Sequence, residues 1–423
     1  MMIVWTEKRR SSPRFLQSLY GHDDAILASA ANDRCTMRVA RAVVSIALAS
    51  LVGCGASGSA LPNGPNPGLP SCQSHGDCSS VLHSSVDCVG GQCTARCMSG
   101  WADCDSLAST GCEADVTSDS HHCGRCDRDC VLGACLNGEC LPYVVASNQE
   151  KPYSIAVSDS QVYWGNDGDG KEGTGALMTA PRSGGTARVL VSGQWSPRDI
   201  LVEGEMVYWV NQGLPGGSTG AVIAMSPISI RSLARAQRGP VGLTHSGPWL
   251  YWTNFGAGEI VRLALPNGSP QIVATGQDTP LGIAADPTGV YWSNRNSHEL
   301  WRLDHSLAGP PVLLSQSSAV NRIDLDANWL YLAGAGGGIG RLALSGGQVE
   351  SVADANRAYN IKIVAHSCFW TDVGAATVSE TDVDSRATKV IGRAEREPYG
   401  LAADSRSVYW TRLGTGEVIG LTR

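Results

Sequence analysis

Residues 280–316 read PLGIAADPTGVYWSNRNSHELWRLDHSLAGPPVLLSQ and divide into four short runs. Residues 282–286 are small and apolar, 290–294 carry a Tyr-Trp pair, 299–304 alternate with Leu300 and Leu303 apolar, and 311–315 are mostly aliphatic. Pro287, Gly289, Asn294, Asn296, Gly309 and Pro310 punctuate them, so the stretch reads as four consecutive β-strands joined by turns.

The same pattern returns along residues 143–423. Aligned on the aromatic pair it gives seven copies: Tyr163-Trp164, Tyr208-Trp209, Tyr251-Trp252, Tyr291-Trp292, Tyr331-Leu332, Phe369-Trp370 and Tyr409-Trp410. Successive copies are 45, 43, 40, 40, 38 and 40 residues apart. A four-stranded unit with a period of about 40 is the mark of a propeller blade. A turning residue precedes most pairs, at Pro152, Pro197, Pro240, Pro280 and Pro398, where proline need not donate to a ladder. With 50 glycines and almost no helical periodicity, a helical solenoid does not fit. The last unit holds three strands, and residues 143–147 supply the fourth, so the ring is expected to close by pairing its two ends and leave no open edge. The fold class is thus all-β: a seven-bladed β-propeller over 143–423, preceded by a small disulfide-rich module and a signal and tether segment.

The repeat resembles the YWTD (NHL-like) type of propeller unit, with YWTN at 251–254, YWSN at 291–294, FWTD at 369–372 and YWVN at 208–211. Leu332, Gly334 and Arg412 depart from it. The resemblance implies a propeller; such repeats serve receptors and bacterial surface proteins alike, so it carries no chemistry.

Residues 1–54 read as an N-terminal extension, 1–36, that has no periodic pattern and fits an upstream start, followed by a lipoprotein signal. From Met37 on, Arg38 and Arg41 form a basic segment, 42–52 an apolar one, and Leu51-Val52-Gly53-Cys54 resembles a bacterial lipobox, which would make Cys54 the lipidated residue. The apolar run is short for a membrane span. Residues 55–71, rich in Gly, Ser, Pro and Asn, read as a flexible tether. The expected location is the bacterial cell envelope, at the outer membrane or cell surface, through a lipid anchor.

Twelve of the 15 cysteines fall within 72–142: Cys72, Cys78, Cys88, Cys93, Cys97, Cys104, Cys112, Cys123, Cys126, Cys130, Cys135 and Cys140. So polar a stretch cannot order itself by burial, and in an exported chain an even set of cysteines reads as disulfides of undetermined pairing. Zinc at Cys123-x-x-Cys126 beside His121 and His122 is the competing reading. The run WADCDSLASTGCEADVTSDSHHCGRCDRDC resembles cysteine-rich modules of exported, myxobacterial-type proteins. Cys368 stands where other units have Val or Leu, and reads as a small buried side chain.

A net charge of −7 and no basic stripe argue against nucleic acid. Neither GxSxG nor HExxH occurs, and His245, His298, His305 and His366 occupy four different repeat positions, so no catalytic residues are assigned. Residues 166–172, NDGDGKE, resemble part of a calcium loop but lack its acidic first position and distal glutamate; Asp167, Asp169 and Glu172 are the candidate ligands, and otherwise no cofactor is expected. This loop and 212–220 are longer than their counterparts and should form an uneven rim on the face of the inter-blade connections, where Trp195, Arg198, Arg238, Asp278, Arg322, Arg357, Asn360 and Glu397 are the binding candidates. The expected function is a lipid-anchored binding or scaffolding platform for a protein, peptide or glycan. A metal-dependent propeller hydrolase or lyase is the alternative.

Overall fold

The computed structural model describes residues 69–316, 319–335 and 337–423. The lipobox reading at Cys54, the signal segment and nearly all of the tether lie outside the described residues.

Seven four-stranded antiparallel sheets follow one another, and the last takes its fourth strand from the beginning of the propeller. The opening stretch forms Pro280–Ala285, Gly289–Asn294, Glu299–Asp304 and Val312–Gln316, each within two residues of the sequence reading. The closing sheet comprises Pro398–Ala403, Ser407–Arg412, Glu417–Thr422 and Tyr143–Ala146, with Ile419 opposite Val144 and Gly420 opposite Tyr143. The inner strand of the seventh blade lies beside that of the first, Pro152–Val157, so the ring is shut.

The aromatic pair explains why the unit repeats. Neighbouring residues of a strand point to opposite faces of its sheet. In each blade the Trp therefore packs toward one neighbour and the Tyr toward the other. Tyr208 shares an apolar cluster with Trp252, Tyr251 with Trp292, Tyr331 with Trp370, Phe369 with Trp410, and Tyr409 with Trp164 across the closure. Leu332 takes the Trp place against Tyr291. Trp164, Trp209, Trp252, Trp292, Trp370 and Trp410 are fully buried. Buried aromatics are the largest apolar contribution a small sheet can make, so a strand carrying both ties each blade to its two neighbours.

A polar bracket holds the Trp edge in five blades. Gln149 Oε1 accepts from Trp164 Nε1 (2.9 Å) and Asn166 Nδ2 (3.1 Å), and Gln194, Gln237 and Gln277 do the same for Trp209 and Asn211, Trp252 and Asn254, and Trp292 and Asn294. The sixth blade differs: Asp372 instead accepts backbone N–H groups of Asn356, Arg357, Gly374 and Ala375. In the seventh an ion pair replaces the two amides: Glu395 accepts from Trp410 Nε1 at 2.8 Å and pairs with Arg412.

The cysteine-rich module is stapled by six disulfides: Cys72–Cys88, Cys78–Cys93, Cys97–Cys112, Cys104–Cys126, Cys123–Cys135 and Cys130–Cys140. Cys123 and Cys126 bond to different partners, so their sulfurs are not free to share a zinc ion. The module packs on the sixth and seventh blades, where Cys123, Cys130, Cys135 and Cys140 join the cluster of Phe369, Val408 and Trp410. Arg128 Nη2 donates to the carbonyl of Thr422 (3.2 Å), and Lys389 pairs with Glu139. Cys368 is the free cysteine among the described residues; it is buried, and burial pushes its thiol well above the ordinary range, which leaves it protonated and inert.

Candidate functional site

Seven inner strands begin at one end of the central channel. In six blades the start carries a bulge, from Pro152, Pro197, Pro240, Pro280, Ala358 and Pro398, that leaves the next residue outside the ladder. Those next residues are Tyr153, Arg198, Val241, Leu281, Tyr359 and Tyr399, and all line a cavity of about 530 Å³ at the mouth. In the fifth blade the ladder starts at Arg322 opposite Ala333, and the Asn321 N–H donates to the same Ala333 carbonyl at 2.9 Å. Arg322 consequently occupies the position that is Gly242, Gly282 and Gly400 elsewhere. Those glycines are required by close approach: a Cβ on Gly242 would come within 2.5 Å of the Leu281 carbonyl oxygen, and one on Gly400 within 2.6 Å of that of Tyr153. In the other three blades the same register holds Ser154, Asp199 and Asn360, so this position carries polar side chains in four of the seven blades.

The three tyrosines form one cluster. Tyr359 meets Tyr399 edge-on with centroids 4.6 Å apart, Tyr153 lies 5.2 Å from Tyr399, and the hydroxyls of Tyr153 and Tyr359 touch. Burial raises the pKa of Tyr153 and Tyr399, so their phenols stay neutral. Arg198 lies over the Tyr153 ring, 4.3 Å from its centroid, a cation–π geometry. The two long loops of the rim hold it there: Gln212 Oε1 accepts from its Nε at 2.7 Å, and Asp167 Oδ2 lies 3.3 Å from its Nη2.

Arg322 is buried and lines both the mouth and an inner cavity of about 290 Å³. Among the described residues its one hydrogen bond is from Nη1 to the Leu281 carbonyl (3.2 Å). Burial works most strongly against its charge, yet Asp199 across the channel, Tyr359 and Tyr153 together outweigh it and its pKa is raised. Asp199 responds oppositely: burial raises its pKa, and Arg322 with the backbone N–H groups of Leu243 and Ile200 only partly counters this. Asp324 accepts from the N–H of Ile363 (2.8 Å) and lies 3.8 Å from Lys362 Nζ. The two inner carboxylates thus hold neighbouring strands together. No histidine lines either cavity.

Of the sequence candidates, Arg198 and Arg322 line both cavities and Asn360 lines the inner one. Trp195, Arg238, Asp278, Arg357 and Glu397 flank the starts of inner strands but line neither, and the last four are exposed. The candidate calcium ligands do not converge. Asp167 turns to Arg198, Asp169 pairs with Lys171 at 2.7 Å, and Glu172 is exposed. The tyrosines were missed, although a legible signal existed for two of them: Tyr153 and Tyr399 directly follow Pro152 and Pro398, while Tyr359 follows Ala358 at the same place in its repeat.

No protein-family model matches the sequence, and no curated protein matches it. Among solved structures the chain is similar to a streptogramin B lyase, at 14% identity and a TM-score of 0.55, over 67% of this chain and 97% of that one. It is also similar to virginiamycin B lyase from Staphylococcus aureus, at 15% identity and a TM-score of 0.54, over 67% and 98% of the two chains. A third is the WD40 domain of Pan2 from Neurospora crassa, at 11% identity and a TM-score of 0.51, over 64% and 89%. At such identities the likeness establishes the fold alone: the chain carries a seven-bladed β-propeller behind a disulfide-stapled module.

Proposed function

We propose that this chain is an exported binding protein, anchored at the cell envelope through Cys54, whose propeller holds a protein or peptide at the tyrosine- and arginine-lined mouth of its channel. One observation carries the reading: a cavity on one face brings three tyrosines and three arginines together on a rigid ring. Tyr and Arg are the residues that most often carry binding energy at the centre of an interface, because they bury much area for few lost rotamers. The carboxylates of the wall are engaged by backbone amides, Lys362 or Arg198, which favours binding over hydrolysis or elimination.

The reading is tested by placing a photo-crosslinking residue at Arg295, on the rim, and in parallel at Asp404, outside both cavities, in the producing cells. Adducts should concentrate at Arg295; equal or greater yield at Asp404 would reject the assignment of this face. The anchor is tested separately. Incorporation of a labelled fatty acid should disappear in Cys54→Ala, and retained label would remove the anchor while leaving the face unaffected.

A further inference from the structure

Resting on that binding reading, we propose that the mouth is a subsite for a single carboxylate carried on an apolar or aromatic group, with the carboxylate at Arg322 and the apolar part on the tyrosine cluster.

Charge is the first argument. The chain is acidic overall, at −7, yet the mouth cavity is lined by Lys151, Arg198, Arg295 and Arg322 against the lone carboxylate Asp167. Asp167 is already engaged by Arg198. An anion therefore gains from the local field at the mouth.

The state of Arg322 is the second. A guanidinium offers five donors in a planar fork. Arg322 uses one of them on the Leu281 carbonyl and has no ion pair within 4.0 Å among the described residues. It is buried, where leaving a charge without hydrogen-bonding partners is costly. A carboxylate seated at the junction of the two cavities would meet the remaining donors in the two-point geometry the fork favours.

Two further features narrow the class. Asp199 and Asp324 line the inner cavity, so a dianion placed beside Arg322 would meet two carboxylates where a monoanion meets a near-balanced site. Apart from Gln212, which accepts from Arg198, the rest of the mouth is apolar or aromatic: Val241, Leu281, Leu413 and Phe255 beside the three tyrosines. The size, about 530 Å³, is that of a site for a small ligand or a chain end rather than a protein surface. Two sources share this chemistry, the C-terminus of a peptide ending in an apolar residue and a free aryl or alkyl acid.

The experiment uses the whole protein and four probes: N-acetyl-Ala-Phe, its C-terminal carboxamide, 3-phenylpropionate and phenyl phosphate. Titration calorimetry should show the dipeptide acid binding at least tenfold more tightly than the amide. Arg322→Gln should abolish that preference and Arg322→Lys, which keeps the charge but not the fork, should restore part of it. Should either variant fail to fold, Arg198→Gln and the tyrosine ring resonances of the unaltered protein give an independent readout; the rings must shift with the acid and not with the amide. Phenylpropionate matching the dipeptide points to a free acid as the source, and much weaker binding points to a peptide end. Both support the subsite. Equal affinity for acid and amide, no saturable binding in the millimolar range, or tighter binding of phenyl phosphate would overturn it. If the rim crosslinks form but amidating the partner's C-terminus changes nothing, the subsite fails and the platform stands. If acid selectivity holds while rim crosslinks are absent, the platform fails.

Discussion

Replacing Arg412 by Asn should destabilise the propeller by roughly 3–5 kcal/mol, the cost of breaking a buried pair and leaving one charge behind. The charge left is Glu395, whose side chain is 1% exposed and would retain only the Trp410 N–H. Glu395→Gln should cost less, about 1–2 kcal/mol, because Arg412 is partly exposed and keeps Glu417 at 3.2 Å. The double variant Glu395→Gln with Arg412→Asn recreates the amide bracket that Gln149, Gln194, Gln237 and Gln277 form with their Asn partners. It should return to within about 1 kcal/mol of the unaltered protein, since uncharged replacements of a buried pair are often neutral. Urea unfolding of the four proteins measures the coupling. A double variant as unstable as Arg412→Asn alone would show that the seventh blade does not share the bracket of the others.

The second large effect concerns closure. Val145→Asp should cost about 4 kcal/mol or more, an unpaired carboxylate buried in the closing strand, whereas Val144→Asp should stay within about 0.5 kcal/mol. The two differ by one position, but Val145 is 8% exposed and packs in the cluster of Trp164 and Tyr409, while Val144 is 47% exposed. Strand alternation puts them on opposite faces. The denaturation midpoints decide it: equal losses in the two variants, or none in either, would mean that Tyr143–Ala146 does not hold the ring shut. Failure of Val145→Asp to fold at all agrees with the same account, provided Val144→Asp folds.

The blade repeat was legible because its causes are local. A strand needs alternation, a turn needs Gly, Pro or Asn, and the Tyr-Trp pair sits where a blade must face two neighbours at once. These properties recur with the chain's own period and can be counted. The bracket glutamines were legible too: Gln149, Gln194, Gln237 and Gln277 keep step with the Trp residues, each fifteen positions ahead. They escaped notice because they close outer strands, where a polar residue reads as solvent-facing. Arg198 was found from its place at the head of a repeat. Arg322 was found for the same reason, but its burial between the two cavities was not, since only the closed ring brings Leu281 and Asp199 near it.

What the sequence by itself determined is the number of blades, the strand order within each, and the pairing of the two ends, because burial and turn chemistry act over a few residues and repeat. The tertiary structure alone decided which cysteines join and which side chains share the mouth of the channel. Tyr153 and Tyr359 stand 206 positions apart in the chain and their hydroxyls touch. No spacing rule reaches that far: the contact exists because a closed ring brings the same position of every blade to one axis, and the residue type at that position varies freely from blade to blade.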